Sequence, residues 1–172
     1  MRELAKRVAI ITGASRGIGR HIAEALAAQG CHLVLAARDE AALDEVALGL
    51  RRDHGVEVVT VRTDVSDRAQ LDQLFQASKE RFGVVDLLVN NAGLERSEIF
   101  SESDPDQTEM DLRVNVHAPM YLTRLALPEM LERNRGHVVN IASLAGLGAN
   151  PHGESYVATK HALVGFTRSL RA

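Results

Sequence analysis

Five times along this chain a short run of apolar, mostly β-branched residues gives way to a longer stretch of helical period. "RVAIITG" precedes "GIGRHIAEALAAQG", "CHLVLAA" precedes "DEAALDEVALGLRRDHG", and "VEVVTVRTD" precedes "DRAQLDQLFQASKERFG". "VVDLLVNNAG" then leads into a segment from about 105 to 134, and "GHVVNIAS" into one that starts near 155. A strand that is apolar at nearly every position has no face to offer water, so these runs predict a parallel sheet covered by helices on both sides. Repeated βα units of this kind wind right-handedly into a doubly wound α/β fold of three layers. With 172 residues, 45% of them hydrophobic, and no linker, low-complexity tract or internal repeat, the chain reads as one domain over 1–172.

Local punctuation agrees with this reading. Gly30, Gly55 and Gly83 fall where helices should end in a left-handed residue. Asp39, Ser66 and Asp104 stand where helices should begin and can cap them. Pro119 and Pro128 predict a kink or break in the fourth helical segment.

Composition excludes several functions. A net charge of −3 and a pI near 6.2, with no dense Lys/Arg run, argue against nucleic-acid binding. The apolar run of "MRELAKRVAIITGASRG" is too short for a signal peptide, and no run approaches the ~20 residues of a membrane helix. The seven histidines show no ligand spacing, so no metal site is expected. The lone Cys31 has no disulfide partner and reads as a buried thiol, which fits a cytoplasmic protein.

"TGASRGIG" follows the first strand directly, with Gly13, Gly17 and Gly19. A glycine loop between strand and helix lets backbone approach a pyrophosphate resting on the positive helix N-terminus. Glycines also serve such turns for steric reasons alone, so the loop by itself leaves both readings open. At the end of the second strand a carboxylate would select NAD by binding the ribose hydroxyls. The chain offers Arg38 there, and Arg16 inside the glycine loop can approach the same point. Guanidinium groups favour a 2′-phosphate, so NADP(H) is expected over NAD(H), with Asp39 as ribose ligand the competing reading.

In "GESYVATKHALVGF", Tyr156 and Lys160 are four residues apart and share a helix face. A phenol with its ordinary pKa near 10 is a poor base at neutral pH, and a neighbouring cation favours the phenolate. The pair therefore suits proton transfer to and from an alcohol or carbonyl oxygen. Ser143, at the end of the fifth strand, can hold that oxygen, and Asn115 can anchor a water that relays the proton from Lys160.

Taken together, these residues resemble the short-chain dehydrogenase/reductases over positions 6–171. "TGASRGIG" looks like their cofactor loop, "NNAG" like their fourth-strand motif, and "YVATK" like their Y-x-x-x-K. The resemblance implies a Rossmann-type fold and a catalytic set of Asn115, Ser143, Tyr156 and Lys160, with Tyr156 as general acid/base. It further implies that Lys160 binds the nicotinamide ribose and eases deprotonation of Tyr156. In the cofactor loop it assigns contacts to Gly13, Ser15, Arg16, Gly17, Ile18 and Gly19. Elsewhere it gives Asp64 and Val65 to the adenine, and Asn90, Asn91, Ala92 and Gly93 to the cleft, Asn90 also steadying the sheet. His117 is expected to be a packed helix residue, and His152 and Glu154 to lie in a solvated loop beside the substrate. A homodimer or homotetramer through the helices of the fourth and fifth units is implied.

The resemblance also implies a carbonyl or secondary-alcohol substrate. A 3-oxoacyl thioester, a sugar or polyol, and a simple ketone all remain open. Family members run on through two further strands and a substrate lid. The expectation is an amino-terminal portion of an NADP(H)-dependent oxidoreductase, poorly active alone; the alternative is a naturally short nucleotide-binding or regulatory module.

Overall fold

A computed structural model describes residues 4–170. Five strands, β1 (Val8–Thr12), β2 (His32–Ala37), β3 (Val58–Arg62), β4 (Leu87–Asn90) and β5 (His137–Asn140), form one parallel sheet in the order β3-β2-β1-β4-β5. The order reverses between β1 and β2 on one side and β4 on the other, which opens a crevice above the carboxyl ends of the strands. Helices α1 (Gly17–Ala28) and α2 (Glu40–His54) cover one face, where Ala23, Ala27, Leu43 and Leu50 meet Ile11, Leu33 and Leu35. The other face carries α3 (Arg68–Phe82) and α5 (Ala118–Glu132), whose Leu74 and Leu122 meet Ile10, Val34 and Leu88. Alternate residues of each central strand thus enter opposite cores, and β1 is buried throughout. That is the expected doubly wound α/β fold.

The helix signals hold with one correction. Gly55 and Gly83 close α2 and α3 at φ +66° and +72°, and Gly30 follows α1 at φ +80°. Asp39 caps α2 by accepting from Ala42 N at 3.1 Å, and Asp104 caps α4 (Pro105–Leu112) by accepting from Asp106 N at 2.9 Å. Ser66 is not the cap of α3. Asp67 takes that place, accepting from Ala69 N at 2.9 Å, because the Ser66 hydroxyl is spent on Asp64 at 2.7 Å.

The prolines act differently from each other. The fourth helical segment divides into α4, a π-helical turn over Arg113–His117, and α5. Pro119 lies four residues beyond Asn115 and has no N–H, so the α-helical donor to the Asn115 carbonyl is missing and the ladder shifts to Ala118 N → Arg113 O. Pro128, by contrast, sits inside α5 without ending it. Burial of Leu122, Ala126 and Met130 against the sheet holds that helix together across the lost bond.

The lower edge of the sheet is tied by one carboxylate. Asp86, buried before β4, accepts from Val8 N at 3.1 Å and from Arg133 Nη1 at 3.0 Å, with Arg135 Nη2 at 3.1 Å and Arg7 Nη1 at 3.8 Å. Burial alone would raise its pKa, but the Val8 and Arg133 hydrogen bonds and the guanidinium charges hold it below the ordinary value. Cys31 is buried as expected; its thiol donates to Leu4 O at 3.2 Å and is pushed up by burial. β5 pairs only with β4 among the described strands, and no helix among the described residues is long and apolar enough to cross a membrane.

Candidate active site

The glycines of the β1–α1 loop are fixed by what surrounds them. Gly13 and Gly17 adopt φ +66° and +55°, the left-handed region that favours glycine. A Cβ on Gly19 would stand 2.2 Å from Gly13 O, and one on Gly13 would stand 2.8 Å from Asn91 Nδ2. Asn91 closes the loop from the neighbouring strand: its Nδ2 donates to Thr12 O at 2.9 Å and Gly13 O at 3.1 Å. Thr12, which sequence reasoning passed over, accepts at Oγ1 from both Asn91 N and Ala92 N at 3.0 Å. A hydroxyl ending an otherwise apolar strand, immediately before the glycine, was the available signal.

Above this loop lies a cleft of about 890 Å³. Gly13, Ser15 and Arg16 line it from β1–α1, and Arg38 from the end of β2. Asp64 and Val65 line it beyond β3, and Asn91, Ala92 and Gly93 beyond β4. Gly17, Ile18 and Gly19 are not among its walls. Gly19 serves the packing of α1 on Gly13, and Ile18 is exposed. Asn90 does not line the cleft either. It is buried, donating from Nδ2 to Asn140 Oδ1 at 2.8 Å and more distantly to Thr123 Oγ1 at 3.4 Å, so its place is between β4, β5 and α5. Asp64 is held by the Ser66 N–H and hydroxyl, and Asp39 by its capping bond.

Behind Gly93, at the side of the cleft, stands α6 (Glu154–Ser169). Lys160 is buried, with Nζ 5.5 Å from the Tyr156 ring centroid and donating to Ile141 O at 2.9 Å. Burial lowers its pKa, and the carboxylate of Glu95 opposes that shift. Tyr156 is half-buried. A Cβ on Gly93 would lie 3.7 Å from Lys160 Nζ and 3.3 Å from Asn115 Oδ1, so the lysine adjoins the Gly93 wall, although Ser143, Tyr156 and Lys160 are not themselves among the residues that line the cleft.

Ser143 departs from expectation by three residues. β5 ends at Asn140, and Ser143 instead opens the short 3-10 turn Leu144–Gly146, its Oγ accepting from Ala145 N at 3.2 Å. That turn packs on α6: a Cβ on Gly146 would stand 2.8 Å from Lys160 O. The side chain of Asn115 is not available to anchor a water. Its Oδ1 accepts from Leu94 N, and its Nδ2 donates to Leu94 O and to Thr159 Oγ1, at 2.8, 2.8 and 3.1 Å. What Asn115 leaves free of an α-helical partner is its carbonyl, for the reason given by Pro119.

His117 is exposed on the π-helical turn rather than packed. His152 is exposed, as expected, yet held at φ +63°, with its carbonyl accepting from Glu98 N at 2.7 Å and its N–H donating to Glu154 Oε1 at 3.3 Å. Thr159, also missed, links Asn115 to Tyr156 O. No metal-ligating cluster is present among the described residues.

A parallel sheet with a tight glycine turn, a cleft above its carboxyl edge, and a phenol beside a buried ammonium next to that cleft defines a nucleotide-binding oxidoreductase scaffold. Residues 7–172 match the family model described as short chain dehydrogenase, and the chain belongs to that family. It is 40% identical over 170 residues to an uncharacterized oxidoreductase of Staphylococcus saprophyticus, covering 99% of this chain and 73% of that one. Among solved structures, a short chain dehydrogenase/reductase from Burkholderia phymatum in complex with NAD superposes with a TM-score of 0.94 at 44% identity. The alignment covers 99% of this chain and 60% of that one. L-Sorbose reductase from Gluconobacter frateurii, complexed with NADPH and L-sorbose, gives 0.93 at 35% identity, covering 96% and 63%. The chain thus spans less than two thirds of these solved chains.

Proposed function

We propose that this protein transfers a hydride between NADP(H) and a ketone or secondary alcohol. The observation that carries this reading is the buried Lys160 beside Tyr156, next to the Gly93 wall of the cleft. A cation held away from water stabilises the tyrosinate more strongly than a solvated one would, so Tyr156 serves as the acid that protonates the substrate oxygen, or the base that takes its proton. Ser143, presented by the turn that packs on α6, donates to the same oxygen. Lys160 also binds the nicotinamide ribose, exchanging its bond to Ile141 O for the sugar hydroxyls. The Asn115 carbonyl accepts from a water that leads protons from Lys160 to solvent.

The glycine turn fits a dinucleotide, because Gly13 and Gly19 have no room for a side chain beside the loop that would cradle the pyrophosphate. When bound, the nicotinamide supplies the hydride donor or acceptor. Asp64 and Val65 hold the adenine, and Ser15, Asn91 and Ala92 the intervening sugar and phosphates. Two features support NADP(H) over NAD(H). Arg38 and Arg16 line the cleft with no carboxylate partner among the described residues, whereas Asp39, which lines it too, has one carboxylate oxygen spent on capping α2. The solved relatives include both NAD and NADPH complexes, so the preference rests on these residues.

A homodimer or homotetramer through α5 and α6 completes the proposal. An apolar groove of about 910 Å³ between α3, α5 and α6, with Met120, Leu127, Leu131 and Phe166 in its walls, supports it. The deciding experiment is Tyr156→Phe in protein expressed from the whole reading frame, with NADPH consumption followed against a ketone panel. Turnover should fall to background while NADPH affinity stays within about threefold, a change of less than ~1 kcal/mol. A variant that retains turnover refutes the assignment.

A further inference from the structure

Beyond Gly93 the cleft wall carries a charge pair that proton and hydride transfer do not use. Asp111, on α4, is 1% exposed, and its Oδ2 has no hydrogen-bond partner. Its Oδ1 accepts from Arg96 Nη1 at 2.9 Å, and the same nitrogen donates to Gln107 O at 2.9 Å. Burial raises the carboxyl's pKa and the guanidinium opposes the shift. A carboxylate so deep and incompletely satisfied is expensive for the fold, and such expense concentrates where a residue serves recognition.

The pair presets Arg96. Leu94 is gripped at both N–H and C=O by Asn115, one helical turn from Asp111, so the stretch 94–96 is fixed at two points. Among the described residues Arg96 alone lines both the cofactor cleft and the small recess formed by Glu98, Phe100 and residues 152–155, next to Tyr156. Its side chain is 30% exposed, and among the described residues its side-chain hydrogen bonds, to Gln107 O and Asp111 Oδ1, both come from Nη1. With Nη1 spent on Asp111 and Gln107, the remaining donors of Arg96 are unspent where its side chain lines the cleft. The charge of the guanidinium is cancelled by Asp111, while Glu98 and Glu154 line the recess beside it without an ion-pair partner among the described residues. This combination suits a neutral acceptor and opposes a carboxylate or phosphate.

We propose that Arg96, held by Asp111, is a specificity-determining residue that donates to a second, uncharged oxygen of the substrate, so that neutral hydroxyketones and dicarbonyls are the preferred class. The proposal rests on the hydride-transfer reading only for where the reacting carbonyl lies. Its test is therefore binding, not turnover: ligand-observed NMR titration of the NADP⁺-loaded protein with hydroxyacetone and diacetyl, with butanone as the analogue lacking the second oxygen and pyruvate as the anion. One hydrogen bond from a charged donor predicts about tenfold tighter binding of hydroxyacetone than of butanone. Arg96→Met should erase that advantage, and Arg96→Gln gives the same comparison if the methionine variant fails to fold. Asp111→Asn should keep the advantage over butanone but move preference toward pyruvate, because the guanidinium charge is then uncancelled. Equal affinity for hydroxyacetone and butanone in the wild type, an advantage that survives Arg96→Met, or pyruvate as the tightest wild-type ligand would each overturn the proposal. If protein from the whole reading frame shows this binding pattern yet consumes no NADPH when given the same ketones, the subsite stands and the hydride-transfer reading fails.

Discussion

Gly19→Ala separates the steric demand of the cofactor turn from its conformational demand. The new methyl would lie 2.2 Å from Gly13 O and 2.6 Å from Asn91 Nδ2, where ordinary contact begins at 3.4 Å. The first gap is short by 3.4 − 2.2 = 1.2 Å, and the obstacle is backbone, which has no rotamer to escape into. Either α1 or the turn must move by about an ångström, and the Asn91 bonds to Thr12 O and Gly13 O go with it. Overpacking of this kind costs about 1–3 kcal/mol of stability. If the loop's N–H groups bind the cofactor's phosphates as proposed, displacing it removes at least one charge-assisted hydrogen bond, about 1.5–3 kcal/mol, or roughly 10- to 150-fold in Kd. Gly17→Ala is the control: its Cβ meets nothing within 4 Å, so only the positive φ is penalised, at about 1–2 kcal/mol. Urea melts and NADPH fluorescence titrations on both variants measure the two effects. A Gly19→Ala protein that binds NADPH within twofold of wild type, with an unchanged urea midpoint, would refute the close-approach argument.

Two further outcomes are expected. Arg38→Asp should weaken NADP binding by about tenfold or more while affecting NAD little, through loss of one charge-assisted contact; equal losses for both cofactors in competitive titrations would remove the 2′-phosphate argument. Asp86→Asn breaks a buried ion cluster and should cost about 3 kcal/mol, lowering Tm by roughly 6–12 °C for a chain of this size. Because the folded-state pKa of Asp86 is depressed, its contribution is complete above the unfolded value and is lost as pH falls through the folded one. Stability measured against pH should therefore flatten on its acid side in the variant, and an unchanged acid limb would count against the cluster.

Much of the site was legible because its signals are local. Gly13, Gly17 and Gly19 follow one strand directly, and Tyr156 and Lys160 share a helix face whatever surrounds that helix. Ser143 was placed on the wrong element because a strand's end depends on its partner, and β4 stops supplying one at Asn90 opposite Asn140. Asn115 was given a free side chain because nothing near it in sequence reveals that Leu94, 21 residues away, would occupy both ends of its amide. Arg96 and Asp111 carried no signal at all: a basic residue in a loop and an acid on a helix are ordinary surface choices until one of them proves to be buried.

The order of residues thus determined the alternating sheet, the glycine turn and the phenol–ammonium pair, since each follows from periods or spacings of a few residues. Tertiary structure alone decided that Lys160 loses its water, that Asp111 goes under with it, and that Arg96 is held by Asp111 where it lines the cleft. Burial is a property of what the rest of the chain brings from far away, and electrostatic strength follows burial, so the chemistry of these charges could be weighed only after the fold had set their surroundings.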